Sequence, residues 1–367
     1  MPADTAPASQ RKPRASLGRK LALSLGVLVA LLVLLELTVR TRQYVKHGTF
    51  GTMHQFVHDP ASGLDIPPPG RVTANFAINK LGFRGPLVEM PKPAGTLRLA
   101  FLGASTTFCA EATSEEKTWP ARVAAAAAQQ RTEGSVDYVN AGVGGYLIDQ
   151  IKQSFERRVA QFEPDVIFIY EATNDLTKDT RELAIAQDVY SGHSDEDSWL
   201  SRVSLVWYLV EKNMLLRSRK IGAVDKHGSV HFEARELSRN YRARIESLSD
   251  AAKARSKLVV LMTFSTQARR EQDPARQFEA CNTSFYYMPY MTPELLLDGF
   301  DEYNRVMREV AAEKGALLLD VAFAVPGDRR HFNDSVHFTD QGCAVFADAV
   351  IRGLQDSPQW NACIGTR

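Results

Sequence analysis

The sequence predicts an α/β protein with a doubly wound, parallel, five-stranded sheet behind an N-terminal transmembrane helix. Three observations predict it. Five short β-like runs recur from residue 97 onward, several of them nearly continuous apolar strings, as strands covered on both faces require. Helical stretches separate them, so the connections are right-handed crossovers. Ahead of them all, Leu21–Val39 is apolar except for Ser24, Glu36 and Thr38.

The elements follow in order. Residues 1–20, rich in Ala, Pro, Ser and basic side chains, read as a disordered cytoplasmic tail. Residues 21–39 would span roughly 28 Å at ~1.5 Å per residue, enough for a hydrocarbon core if Glu36 sits near the far interface. Arg11, Lys12, Arg14, Arg19 and Lys20 precede the span; Arg40, Arg42 and Lys46 follow it. That excess favours the amino terminus inside and the bulk of the chain outside. A cleaved signal peptide is the rival reading, but no small-x-small site follows the apolar core. The span therefore reads as a signal anchor in a bacterial inner membrane, with the main domain periplasmic or extracellular. Residues 40–90 form a juxtamembrane connector whose apolar stretch 76–85 is expected to pack on the domain that follows.

That domain, 91–367, carries the predicted strands Leu97–Leu102, Asp137–Asn140, Val166–Tyr170, Lys257–Thr263 and Ala316–Asp320. Helices are expected over the Ala-rich residues 121–129, around Gln150–Gln161, and near 236–255. Another should open at Thr292-Pro293 and stop at Gly315. Residues 176–235 form an insertion in which Trp199, Leu200, Val203, Leu205, Trp207 and Tyr208 suggest a packed helix. Residues 265–291, with Tyr286, Tyr287, Met288, Tyr290 and Met291, form either a lid or a packed structural loop.

Composition narrows the function. A net charge of +1 gives no long-range attraction for nucleic acid. The cysteines, Cys109, Cys281, Cys343 and Cys363, lack zinc-type spacing; outside the cytoplasm they could form two disulfides of unreadable pairing.

Four motifs follow predicted strands, so a parallel sheet gathers them at one edge. Ser105 stands after Gly103 at a helix start, its hydroxyl exposed beside backbone N–H groups. Asp334 and His337 are three residues apart, close enough for the carboxylate to orient one imidazole nitrogen while the other takes a proton from Ser105. His331 competes for that role but is read as lacking an acid at comparable spacing. Asn174 can donate to an oxyanion, and Gly142, Gly144 and Gly145 form a turn that lets a backbone N–H approach substrate. Two rival readings are a metal held by Asp175, Asp334 and His337, and Cys109 as nucleophile.

In this order the motifs resemble the four blocks of the SGNH/GDSL hydrolases. Residues 101–108 are similar to the first block, 138–145 to the second, 171–175 to the third and 334–342 to the last. Trp119-Pro120 also stands where many members carry an aromatic–proline pair. The resemblance implies a flavodoxin-like sheet and a serine ester hydrolase working through an acyl-enzyme without metal or cofactor. Ser105, His337 and Asp334 would be the triad, with the Ser105 and Gly145 backbone N–H groups and Asn174 forming the oxyanion hole. Ala104 replaces the Asp of Gly-Asp-Ser, and Thr173 replaces the usual Gly before Asn-Asp, which should crowd the acyl side. The expected substrate is a short acyl ester, acetyl on an envelope or exported glycan. Alternatives are O-acyl transfer at the same site, a lipid esterase or lysophospholipase, and a degenerate polysaccharide-binding module. Protein partners are not legible in the sequence.

Overall fold

The computed structural model describes residues 17–47, 50–51, 56–190, 198–225 and 228–365. The chain begins with α1 (Leu17–His47), 31 residues long and apolar enough to cross a membrane, with its apolar window exposed. Arg11, Lys12 and Arg14, which entered the orientation argument, lie outside the described residues, as does most of the expected tail. A small antiparallel hairpin follows, β1 (Val57–Asp59) with β2 (Leu64–Ile66).

The main sheet then forms from β3 (Thr96–Gly103), leading into the short α2 (Ser105–Phe108) and α3 (Trp119–Gln130). Next come β4 (Ser135–Asn140) and α4 (Ile148–Ser154), which continues as a π turn over Phe155–Val159. After β5 (Val166–Tyr170) come α5 (Thr173–Ala186), α6 (Trp199–Val203), α7 (Leu205–Asp225) and α8 (Ala234–Lys253). Last are β6 (Leu258–Met262), α9 (Pro274–Ala280), α10 (Asn282–Tyr287), α11 (Pro293–Lys314), β7 (Leu317–Leu319), α12 (Asp340–Gln355) and α13 (Pro358–Ile364).

The order is β4-β3-β5-β6-β7, every pair parallel, so winding reverses between β3 and β5. Ligands bind at such a reversal, beyond the carboxyl ends of the strands. All five predicted strands form within a residue or two, because β3, β5 and β6 are fully buried and their apolar runs carry no alternation. Helix ends obey local chemistry as well. Thr292 caps α11 through Leu295 N, and Gly315 ends it at φ +62°.

The structure decides three points that the sequence left open or misread. The insertion is largely helical, but Trp199 is 71% exposed and Trp207 42%, so these side chains do not pack as core. In residues 265–291, Met288, Tyr290 and Met291 are buried in the core, so this segment is in large part a packed structural loop. All four cysteines are free thiols, three of them buried.

The stretch before the sheet supports the site directly. Ile78, Phe83 and Arg84 are buried. The Arg84 guanidinium donates to Glu115 Oε2 at 2.9 Å and to the Phe108 and Cys109 carbonyls at 2.9 and 2.6 Å. It thereby satisfies the open carbonyl end of α2, the helix that carries Ser105.

Candidate active site

β3 and β5 end level with each other, Gly103 pairing with Tyr170, so the turns after them face across the winding reversal. Gly103 is there because a Cβ would collide with Thr107 Oγ1 and the Tyr170 carbonyl. The next turn is held by Asn140, which donates to the Thr107 carbonyl at 3.1 Å and accepts from Gly142 N at 3.1 Å. Gly145 adopts φ +81°, the left-handed region that favours glycine, and is exposed. A Cβ on the adjacent Gly144 would lie 4.0 Å from Ser105 Cβ, which shows how closely this turn borders the serine.

The Asp334–His337 turn follows β7. Asp334 Oδ1 accepts from the Val336 and His337 backbone N–H groups, both at 2.9 Å, which fixes the carboxylate. Its two oxygens stand 3.0 and 2.9 Å from His337 Nδ1, and His337 Nε2 stands 2.8 Å from Ser105 Oγ. A carboxylate at Nδ1 places the ring proton there, leaving Nε2 to accept from the Ser105 hydroxyl.

Burial disfavours charge on both partners, yet their mutual attraction and hydrogen bonding prevail. Asp334 is held below the ordinary carboxylate range and His337 is raised above 6.5. Aromatic packing fixes the geometry from behind. Trp119 Nε1 donates to the Thr106 carbonyl at 3.0 Å, and its ring meets Phe346 of α12, which meets Phe338 beside the histidine.

Asn174 lies in the first turn of α5, half-buried, with Nδ2 donating to the Tyr146 carbonyl at 2.9 Å. One amide hydrogen thus ties Asn174 to the glycine turn, and the other remains for a ligand by amide valence. Thr173 precedes it at the start of the same helix.

The rival readings fare differently. His331 does have an acid at matching spacing: Asp328, three residues earlier, contacts Nδ1 at 2.8 Å. The reading of His331 as lacking such an acid was wrong, since an Asp-x-x-His spacing occurs twice. Contact with Ser105 is what distinguishes His337. Asp175 is buried, accepts from Ile148 N at 3.0 Å and pairs with Arg244 at 2.7 Å, so its partners are not Asp334 and His337. Burial, with Cys343 alongside, pushes the Cys109 thiol well above its ordinary value, which makes it a poor nucleophile.

Glu171 is a contributor to which the sequence reading assigned no role. It is fully buried, Oε1 accepts from Asn174 N at 2.9 Å, and the Ala104 backbone also bonds its carboxyl. One side chain therefore braces both the residue before Ser105 and Asn174. Burial and the nearby Asp175 outweigh these bonds and push it up to about 8. A carboxylate directly after an all-apolar strand was the available signal.

A doubly wound sheet with a serine hydroxyl, an imidazole and a carboxylate in line at its carboxyl edge is built like an ester hydrolase. The sequence matches the model of the GDSL-like lipase/acylhydrolase family over residues 101–345, and the chain belongs to that family. It is a carboxylic ester hydrolase. Similar solved structures include an acetylxylan esterase from Geobacillus stearothermophilus, with 20% identity, TM-score 0.42, and coverage of 70% of this chain and 93% of that one. Another is an α/β hydrolase enzyme from the metagenome of Lake Arreo, Spain, with 16% identity, TM-score 0.42, and coverage of 74% and 95%. No curated protein matches the chain.

Proposed function

We propose that the protein is a serine ester hydrolase with Ser105 as nucleophile, His337 as general base and then acid, and Asp334 as its orienter. The observation that carries this reading is the continuous contact from Asp334 through His337 to Ser105 Oγ. Ser105 Oγ attacks the ester carbonyl carbon while its proton passes to His337 Nε2. The tetrahedral oxyanion is held by the Ser105 and Gly145 backbone N–H groups and the Asn174 amide. On collapse, His337 protonates the departing alcohol and leaves an acyl-serine. Water, deprotonated by His337, then releases the carboxylic acid and restores Ser105.

The acyl group is short in this reading, acetyl on an envelope or exported glycan. Thr173 takes space where a glycine is usual, and Met288, Tyr290 and Met291 are committed to the core and unavailable to line a fatty-acyl channel. The helix α1 is read as the anchor that holds the domain outside a bacterial inner membrane. Activity of an alkaline phosphatase fused at the carboxyl terminus tests that orientation.

A panel of p-nitrophenyl acetate, butyrate, octanoate and palmitate, with acetylated glycans and lysophospholipid, tests the substrate. We expect kcat/KM to peak at acetate or butyrate and Ser105→Ala to abolish turnover. A lipid site would instead gain about 0.8 kcal/mol per buried methylene, so a rise continuing to octanoate would overturn the short-acyl reading. Normal hydrolysis by Ser105→Ala would overturn the triad.

A further inference from the structure

The exposed apolar side chains of α6 and α7 are not scattered. Trp199, Val203, Trp207, Val210 and Met214 follow one another at intervals of four, four, three and four residues, and each is between 41% and 71% exposed. Within each helix such spacing keeps them on one side, Trp199 with Val203 on α6 and Trp207 with Val210 and Met214 on α7, the extended Ser204 standing between the two helices. A single exposed apolar residue needs no explanation; a stripe containing two tryptophans does.

The hairpin is fastened to α1 at one place. Glu36 accepts from Leu205 N at 2.8 Å, Val206 N at 3.1 Å and Ser204 Oγ at 2.8 Å. Arg40, paired with Glu36 at 2.6 Å, donates to the Val203 carbonyl at 2.9 Å. The one acid in the apolar stretch is thus neutralised by an arginine and by the open N–H groups at the start of α7. A carboxylate near a bilayer needs such partners. These bonds set the α6–α7 junction level with the end of the apolar stretch. At that level Val39 of α1 lines one surface cavity together with Val206, Leu209, Val210 and Met214 of α7.

We propose that the α6–α7 hairpin is a second membrane contact, lying in the headgroup–acyl boundary at the level of Glu36 with Trp199 and Trp207 in the lipid. This rests on reading α1 as the membrane anchor. Tryptophan rings suit that boundary, apolar in body and polar at the indole N–H. A bilayer that covers α1 as far as Glu36 reaches the hairpin without further movement. The contact also bears on the site. α7 packs on α10, whose Thr283 and Ser284 N–H groups donate to Ser335 Oγ, beside Asp334. The catalytic turn is thereby linked to the membrane surface through two helices, and the esters it meets are those presented close to that surface.

The four tryptophans provide the test, because Trp119 and Trp360 are buried in the core. The full chain is reconstituted in phosphatidylcholine–phosphatidylglycerol vesicles with or without bromine on the acyl chains. With two of four rings in lipid, acyl bromine should quench the emission of Trp199 and Trp207 and leave that of Trp119 and Trp360 in place. Trp199→Phe/Trp207→Phe should abolish that loss, and aqueous iodide should quench wild type weakly. Protein that survives an alkaline carbonate wash on the vesicles, yet shows no bromine quenching, overturns the proposal while leaving the anchor intact. Iodide quenching would then place the hairpin in water, and protection from both quenchers would place it against protein. Release by the wash overturns the anchor reading and the hairpin contact with it.

Discussion

Asp334→Asn isolates the charge of the orienting carboxylate from its role in folding the turn. The remaining Oδ1 still accepts from Val336 and His337 N, the two 2.9 Å bonds that shape the loop. Two things change. The amide nitrogen now donates to His337 Nδ1, which drives the ring proton to Nε2, where it points at Ser105 and blocks proton uptake. The imidazolium also loses its counter-charge at about 3 Å, an attraction of roughly 1.4 kcal/mol at a dielectric of 80 and roughly 5.5 kcal/mol at 20. Both side chains are about one-fifth exposed, so the lower half of that range applies. His337 is raised in the native enzyme, so activity should rise along an acid limb lying above pH 6.5. In the variant that limb should move down by roughly 1–2 pH units, since about 1.36 kcal/mol corresponds to one unit. Turnover should fall about 10⁴-fold from the wrong tautomer. Asp334→Ala should lose less, because its imidazole can still sample the productive tautomer. The assay is kcat/KM for p-nitrophenyl acetate from pH 5 to 9, read at the isosbestic wavelength of the released phenol. An acid limb that stays in place, with turnover within tenfold of wild type, would refute the reasoning.

Asn174→Ala should lower kcat by about 10²–10³ with little change in KM, since the amide acts on the developing oxyanion. Asn174→Asp should be at least as harmful, because a carboxylate oxygen would face the Tyr146 carbonyl; normal turnover by both would move the oxyanion role elsewhere. Glu171 titrates near 8 in the fold against 4.5 when exposed, so its stabilising contribution is complete below pH 4.5 and is lost as pH rises toward 8. The loss is limited to roughly 5 kcal/mol. Melting temperatures from pH 5 to 8.5 should therefore fall less for Glu171→Gln than for wild type, and parallel curves would argue against this.

Legibility in the sequence followed the range of the interactions concerned. The strands were readable because burial on both faces writes apolar residues at every position, as in Val166–Tyr170. The ends of α11 were readable because Thr292, Pro293 and Gly315 act on their own backbone. The blocks around Ser105, Asn174 and His337 stood out because each must be built within a few residues of a strand end. Glu171 and Arg84 were harder to read, since what they brace is supplied by other segments. The second Asp-x-x-His pair shows the limit of spacing alone: Asp328–His331 and Asp334–His337 have the same spacing, and only the fold brings one of them to Ser105. Trp199 and Trp207 were misjudged for a related reason. Helical periodicity reveals an apolar side but not what covers it.

The bond from Glu36 to the α6–α7 junction also has a temporal side. Ser204 follows Glu36 by 168 residues, and ribosomes add roughly 5–20 residues per second, so about 8–34 s separate the acid from its partners. Through that interval Arg40, one turn away, is the partner already at hand. The helix α1 is therefore completed only after β3, β4 and β5 of the sheet have been synthesised. A chain interrupted before residue 204 would carry an apolar helix with a half-satisfied carboxylate, a state recognisable to quality control long before any esterase activity exists.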